Sequence, residues 1–125
     1  MRFAFRVDEG KTPNPGLLRH QITWERKVPA ASPINSYGED VFVWSGFQVC
    51  RAQVKELTGR ELESAQQRWA EAKYVILQHY IKGLEMTDRI YWWIDGEAVY
   101  LDPLSIDDEP GTGYWQQVVC KERIP

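Results

Sequence analysis

The residue types most capable of chemistry in this chain are two histidines and two cysteines. His20 and His79 lie in strand-like segments without a Ser or Cys nucleophile nearby in sequence. Cys50 and Cys120 are far apart and fit neither a C-x-x-C motif nor a zinc-ligand spacing. We therefore expect His20 to be a partly buried, hydrogen-bonded imidazole and Cys50 to be a small core residue.

Carboxylates occur in three groups that could serve a metal ion or acid–base chemistry. The groups are Glu39 with Asp40, Glu61 with Glu63, and the run Asp107-Asp108-Glu109. The run offers oxygen ligands but lacks the spacing and the glycine of an EF-hand loop, so a solvated acidic turn is favoured. The chain also has no phosphate-binding loop, nucleophile elbow, H-E-x-x-H motif or dinucleotide-binding glycine motif. The sequence predicts no enzyme, no cofactor and no metal site.

Adjacent Trp92 and Trp93, beside Arg89 and Tyr91, form the best candidate for stacking on single-stranded nucleic acid. Neighbouring residues of a strand point to opposite faces, so one Trp should join the core while the other is covered by a helix or exposed. An exposed Trp more often marks a protein contact, where Trp, Tyr and Arg are enriched. The net charge of −3 and the pI near 5.4 also argue against an electrostatic nucleic-acid binder. An oligomer interface is the favoured interpretation of this pair.

The composition indicates one folded domain. A chain of 125 residues with 43% hydrophobic residues, six Trp and six Tyr can bury a core and is far from a disordered composition. Two distant cysteines favour a reducing environment. No apolar run has the length of a membrane span or the pattern of a signal peptide, so we expect a soluble, unexported protein. Residues 1–16, rich in Pro and Gly towards their end, are predicted as an N-terminal arm and residues 17–125 as the domain.

Alternation of apolar and polar residues predicts most of this domain as β-structure. Strands are expected from Leu18, over residues 41–56 with a bulge at Ser45-Gly46, over residues 73–81, on both sides of Asp95-Gly96, and over residues 114–121. The Asp95-Gly96 pair predicts a type I′ hairpin, whose second strand should end at Asp102-Pro103. Short links favour antiparallel pairing. The predicted fold is mainly β, a small antiparallel β-barrel or sandwich of about six strands with one α-helix.

The helix is predicted near residues 59–71, where the β pattern is interrupted. Thr58 and Glu61 fit a capping box, in which each side chain accepts a hydrogen bond from the other residue's backbone amide. The apolar residues that follow have helical spacing, at Leu62, Ala65 and Trp69. We expect this stripe to pack across the sheet while the other sides of the helix stay in water.

A long loop is predicted near residues 29–40. Residues 29–38 contain two Pro and one Gly and no charged residue, and Glu39-Asp40 follow. Long loops inside compact domains are often functional, and this one keeps Ile34 and Tyr37 as apolar contact points.

Several segments together resemble the head-tail joining, or head completion, proteins of tailed bacteriophages. The resemblance extends from Pro15 to about Arg123. It rests on the order and spacing of Gly16-Leu17-Leu18-Arg19-His20-Gln21-Ile22-Thr23-Trp24-Glu25, Tyr37-Gly38-Glu39 followed by Trp44, Val49-Cys50-Arg51-Ala52-Gln53-Val54 leading into Leu57-Thr58-Gly59-Arg60-Glu61-Leu62, and Asp88-Arg89-Ile90 before the Asp95-Gly96 hairpin. The arm before Pro15 is longer than the family pattern, and residues 81–87 replace a shorter proline-containing turn.

The resemblance implies a virion protein, assembled in the host cytoplasm, that forms a ring at the head–tail connector. Its expected partners are further copies of the chain, a portal or adaptor protein, a tail terminator or tail tube protein, and double-stranded DNA in the channel. The long loop would project into that channel and help to retain packaged DNA. Its lack of Lys and Arg favours a steric gate over phosphate binding. The channel-loop residues would be Pro33, Ile34, Asn35, Ser36, Tyr37 and Gly38.

Ring interfaces pair two different surface patches of each subunit. The candidates for subunit or partner contacts are Arg60, Glu61, Arg68, Trp92 and Trp93. The resemblance leaves open whether the ring is an adaptor, a stopper or a tail terminator, and whether the source is a phage, a prophage or a gene transfer agent. An alternative from a different class is a stand-alone barrel of the OB type that binds single-stranded nucleic acid through aromatic strands.

Overall fold

The computed structural model describes residues 18–34, 37–108 and 114–123. Within them the chain forms six strands and one helix. Their bounds are β1 His20–Ile34, β2 Asp40–Glu56, α1 Gly59–Arg68, β3 Tyr74–His79, β4 Arg89–Ile94, β5 Glu97–Asp108 and β6 Trp115–Glu122. The predicted arm lies outside the described residues, and the division between residues 16 and 17 stays a prediction.

All six strands belong to one antiparallel sheet that closes on itself. The order around the closed sheet is β1-β2-β3-β6-β5-β4, and β4 pairs back onto β1 from Ile22↔Trp92 to Glu25↔Arg89. The mainly β prediction with one helix is thereby confirmed, and closure decides for the barrel over the sandwich. In this order β4 lies three strands from β3 in both directions, so the two strands stand on opposite walls.

Two hydrophobic clusters stabilise the barrel, one inside and one outside. The interior cluster includes Trp24, Ile76, Ile90 and Val118, all fully buried. The outer cluster lies between the helix and the outward faces of β3 and β6, and includes Ala65, Val75, Leu77 and Val119, with Leu62 and Trp69 packed against it. Strands β3 and β6 are therefore apolar on both faces, because the helix covers the face that would otherwise be in water.

The β4–β5 hairpin and the bulge in β2 agree with prediction. Asp95 and Gly96 have φ of 53° and 78°, and two consecutive positive values are what a type I′ turn requires. Trp24 pairs with Gln48 while Glu25 pairs with Gly46, so Phe47 is the extra residue of a bulge. A side chain at Gly46 would place its Cβ 2.9 Å from Cγ2 of Thr23, which explains the glycine.

Three boundaries differ from prediction. The long loop near residues 29–40 is largely strand, because β1 continues to Ile34 and β2 starts at Asp40. Strand β5 does not end at Asp102-Pro103 but continues to Asp108 across an irregularity between Pro103 and Ser105, where a proline without an N–H is tolerated. The helix ends at Arg68 rather than near residue 71, because Trp69 leaves the helical conformation, with φ −133° and ψ 98°.

The capping box is also corrected. Thr58 is the N-cap residue, with extended φ and ψ of −141° and 160°, but its side chain makes no capping hydrogen bond. The Glu61 carboxylate lies instead 3.8 Å from Nζ of Lys55 on the preceding strand. A nearby cation on β2 thus attracts the group that was expected to reach back to the Thr58 amide.

A chain of buried hydrogen bonds crosses the interior at one end of the barrel. Trp24 Nε1 donates to Gln78 Oε1 at 2.9 Å, and Gln78 Nε2 donates to Gln116 Oε1 at 3.0 Å. The Gln116 side chain then bonds both the N–H and the C=O of Ile81, at 2.9 and 3.0 Å. Strands β1 and β3 are not neighbours in the sheet, so this chain fixes their distance across the barrel.

Replacing the central amide of this chain should destabilise the fold. Gln78→Leu leaves the buried Trp24 N–H without its acceptor, and we expect the free energy of unfolding to fall by about 1–3 kcal/mol. Urea denaturation measures the change. Gln67→Leu makes the same substitution at an exposed helix position and should change stability by less than about 0.5 kcal/mol. Equal stability of the two variants would contradict a structural role for the Gln78 amide.

Candidate functional site

The most distinctive feature of the fold is a two-stranded extension of β1 and β2, which we call the ribbon. It comprises residues 26–34 of β1 and 40–45 of β2, paired in register from Arg26↔Ser45 to Pro29↔Phe42 and, after an irregularity in β1, again at Ile34↔Asp40. Strand β1 pairs with β4 only as far as Glu25, and β2 pairs with β3 only from Ala52 onward. Among the described residues, both outer edges of the ribbon therefore lack a neighbouring strand, and at about 3.3 Å per residue its shorter strand extends about 17 Å beyond the barrel.

The ribbon carries exposed apolar side chains and few charges. Ile34 and Tyr37 are 59% and 85% exposed, and Phe42 and Val43 are each nearly half exposed. Residues 28–38 include no charged residue. A two-stranded hairpin of this kind is marginally stable alone in water, so its base must be held by other contacts.

Arg26 holds the base of the ribbon from one face. Its guanidinium makes two hydrogen bonds to the buried Asp88 carboxylate, at 2.8 and 2.9 Å, and one to the carbonyl of Gly83 at 2.8 Å. It also lies 4.5 Å from the centre of the Phe47 ring, at the bulge. Asp88 accepts in addition from the backbone N–H of Glu85 at 2.8 Å. The ribbon is thus tied to the β3–β4 connection by a forked, charge-assisted contact.

Trp44 holds the base of the ribbon from β2. Its ring lies 4.3 Å from the guanidinium carbon of Arg89 and 5.0 Å from that of Arg123. Each guanidinium has an acidic partner: Arg89 Nε donates to Glu25 at 2.7 Å, and Arg123 Nε donates to Asp102 at 3.0 Å. Arg89 also stands 4.2 Å from the Tyr100 ring. Aromatic rings and guanidinium groups alternate here, which fixes the ribbon to β4, β5 and the end of β6.

These anchoring residues were not identified as a unit from the sequence. Trp44 contributed only to the family resemblance, Arg89 contributed to the resemblance and to the stacking candidate around Trp92 and Trp93, and Arg26 and Arg123 were given no role. Their contacts join positions up to 79 residues apart, as Trp44 with Arg123 shows. Only the closed register of the sheet brings them together.

The predicted channel-loop residues lie at and beside the far end of the ribbon. Pro33 and Ile34 belong to β1, and Gly38, with φ 82°, lies in the turn that leads into β2. Tyr37 is exposed in that turn. Asn35 and Ser36 lie outside the described residues. The structure gathers the described members at one tip, which makes this tip a candidate contact site.

The predicted interface residues divide into two groups on opposite walls. Arg60, Glu61 and Arg68 lie on the helix, which covers β3 and β6, and Arg68 stands 4.8 Å from the Trp69 ring. Trp93 is 59% exposed on β4, whereas Trp92 is buried in the interior cluster. The expectation that the two Trp side chains would separate is confirmed. Of the two Trp residues, only Trp93 is exposed enough to contact another protein.

The titratable residues behave as partly buried structural groups. Nδ1 of His20 accepts a hydrogen bond from the Val54 N–H at 3.2 Å, and its ring meets Trp92 edge-on at 5.3 Å. Burial, assisted by the charge of Arg19, lowers the pKa of His20. Burial raises the pKa of Cys50 to about 11, which keeps it a neutral thiol at ordinary pH. Both expectations for these residues agree with the structure.

Within residues 18–34, 37–108 and 114–123, no group of three or more His, Cys, Asp or Glu side chains is arranged to hold a metal ion. Among the same residues, no helix has the length and apolarity needed to span a membrane.

A closed six-stranded barrel with a helix on one wall and a projecting ribbon is a known architecture. Protein SF1141 from Shigella flexneri 2a, a solution structure, shares the fold with a TM-score of 0.67 at 20% identity, covering 88% of this chain and 96% of that one. A chain from the virion of a native gene transfer agent particle has a TM-score of 0.50 at 11% identity, covering 86% and 96%. A sequence search of curated proteins gives no match.

The sequence itself matches the model of the phage head completion protein family over residues 13–123. The chain belongs to this family. It is therefore a structural protein of the phage virion with a role at the head–tail junction, as the resemblance implied.

Removing the aromatic ring at the base should loosen the ribbon and leave the barrel folded. Trp44→Ala abolishes two guanidinium–ring contacts, each worth about 0.5–1 kcal/mol at a partly exposed site. We expect faster amide hydrogen exchange over residues 26–34 and 40–45 and unchanged protection in β3 and β6. Phe42→Ala, nearer the tip, is the matched control. Unchanged exchange in the ribbon of Trp44→Ala would contradict the anchoring role.

Protonation of His20 should destabilise the fold. Its pKa in the folded chain is lowered, so the unfolded chain takes up the proton first, near the ordinary value of 6.5. The contribution to stability is fully present above about pH 6.5 and is lost as the pH falls through the lower folded pKa. His20→Asn should reduce this acid-dependent loss, measured by urea denaturation at about pH 7.5 and 5.5. His79→Asn, at an exposed strand position, is the control, and identical pH dependence in His20→Asn and wild type would refute the assignment.

Proposed function

We propose that copies of this chain form a ring at the head–tail junction, with the ribbon directed into the DNA channel. The ribbon carries the proposal, since it is a projecting element whose base is fixed and whose tip is exposed and apolar. A ring is the arrangement in which one protruding hairpin per subunit can together narrow a central passage. Within it the chain would contact a portal or adaptor protein on one side and a tail terminator or tail tube protein on the other.

The ribbon suits steric retention of DNA better than adhesion to it. Affinity for the phosphate backbone comes mainly from Lys and Arg, which release condensed counterions on binding. The sequence from residue 28 to residue 38 contains no Lys or Arg, and Glu39 and Asp40 that follow add negative charge. An uncharged tip lets the duplex slide during packaging and ejection, while its bulk obstructs the passage at rest.

The anchored base supports the same role. Pressure from packaged DNA would act on the tip. If the base were flexible, the ribbon would swing aside under this force. Arg26 with Asp88, and Trp44 with Arg89 and Arg123, hold β1 and β2 separately. Force on the tip would therefore be transmitted to the barrel rather than absorbed by bending.

Shortening the ribbon should separate DNA retention from assembly. Val28 and Val43 are paired, so residues 29–42 can be replaced by Asn-Gly, which suits a two-residue hairpin turn. The barrel pairs remain intact, and we expect particles that incorporate the shortened chain, join tails and leak DNA. Nuclease-protected DNA per particle measures the loss.

Two further kinds of particle serve as controls for that result. A chain of full length with Ile34→Ser and Tyr37→Ser keeps the bulk of the ribbon and should retain DNA better than the shortened chain. Particles without the protein should fail to join tails stably to DNA-filled heads. Full DNA retention with the shortened ribbon would exclude the gate, and normal tailed particles without the protein would exclude the junction role altogether.

A further inference from the structure

Two opposite walls of the barrel differ in what covers them. The outer face of β3 and β6 is covered by α1, whose apolar stripe packs onto Val75, Leu77 and Val119. The opposite wall carries β4, whose outward Trp93 is 59% exposed with no described element over it. Each molecule therefore presents a polar helix surface on one side and an aromatic strand surface on the other.

The helix surface is cationic along its centre. Arg60, Ser64, Gln67 and Arg68 share the side that faces away from the barrel, as their helical spacing requires. Both arginines are exposed, and neither has an acidic partner among the described residues. Glu61 is paired with Lys55, and Glu63 lies on the flank of the helix. We call Arg60, Gln67 and Arg68 the helix patch.

The opposite surface joins an exposed ring to an acidic turn. Trp93 pairs with Ala98, so these two exposed residues share the outward face of the hairpin, whereas Glu97 pairs with Ile94 on the other face. Asp95, in the turn that follows Trp93, is exposed and has no cationic partner within the described part of the chain. Arg19 lines the groove beside Trp93 but already takes part in another interaction. We call Trp93, Asp95 and Ala98 the hairpin patch.

We infer that the helix patch of one copy binds the hairpin patch of the next copy. This inference rests on the proposed ring and specifies its contact. Arg60 would lie over the Trp93 ring, and Asp95 would face the helix cations. Because the two patches differ and stand on opposite walls, the contact is heterologous and repeats from copy to copy until a ring closes.

The chain already uses this mode of contact within itself. Guanidinium groups lie over aromatic rings in the pairs Arg26–Phe47, Arg68–Trp69 and Arg89–Trp44, at 4.5, 4.8 and 4.3 Å. Arg89 further shows a guanidinium that contacts a ring and a carboxylate together. Trp93 beside Asp95 offers the same combination, with no guanidinium of the described residues over its ring, and Trp and Arg are among the residues most enriched in interface hot spots.

Engineered cysteines test the contact directly. Arg60→Cys and Ala98→Cys, as separate proteins, should form disulfide-linked dimers when mixed under oxidising conditions, whereas each alone stays monomeric. Both substitutions in one chain should yield a ladder of covalent oligomers, since each copy then links to two neighbours. Native Cys120 is buried and the pKa of Cys50 is raised to about 11, so wild type provides a low background.

Controls distinguish the proposed surface from random collision. Mixing Arg60→Cys with Lys82→Cys, an exposed position outside both patches, should give no dimers above wild type. Trp93→Ala added to Ala98→Cys should slow cross-linking about tenfold or more, the effect expected for a lost Trp hot spot.

Three results would overturn the inference. The first is that, up to millimolar protein, Arg60→Cys cross-links to Lys82→Cys as fast as to the Cys variant of the hairpin patch. The second is that Arg60→Cys alone forms covalent dimers. The third is a ring in intact particles whose subunits contact each other through other surfaces. The last leaves the proposed function standing, because a ring would still exist. Particles without any ring of this chain would instead refute the proposed function.

Discussion

The chain of buried amides that links Trp24, Gln78 and Gln116 is the constraint on which the barrel depends. Hydrophobic side chains fill the interior but tolerate many registers, whereas a buried indole N–H and two buried amides must all find partners. Here they do so only if β1, β3 and β6 stand at one separation and one register. Trp24 also lies in the stretch of β1 that closes the sheet, where it pairs with Ile90 and the next residue, Glu25, pairs with Arg89 below the ribbon.

The ribbon extends outward from this rigid barrel. Its two strands leave the barrel where β1 has lost β4 and β2 has not yet met β3, so neither edge is supported by the sheet. From that point side-chain contacts, rather than sheet hydrogen bonds to a third strand, hold the ribbon to the barrel. Asp88 binds Arg26, and Arg89 and Arg123 contact the Trp44 ring.

Sequence patterns predicted those parts of the fold that are encoded locally. Alternation located the strands, Asp95-Gly96 located the hairpin, and the spacing of Leu62, Ala65 and Trp69 located the helix. The ribbon was mistaken for a loop because Pro29 and Pro33 argue against strand, yet an edge without a neighbour needs no N–H from either. The pairing of Trp44 with Arg123 and the opposition of Trp93 to the helix depend on closure, which no local pattern encodes.

The unsupported edges of the ribbon have an evolutionary corollary. Because no third strand of the described chain pairs with the ribbon, residue pairs can be gained or lost at the tip without shifting the pairing of the barrel strands. The length of the protrusion and the stability of the base are therefore separate variables. Related proteins could match passages of different bore by changing one hairpin, while the ring that carries it stays constant.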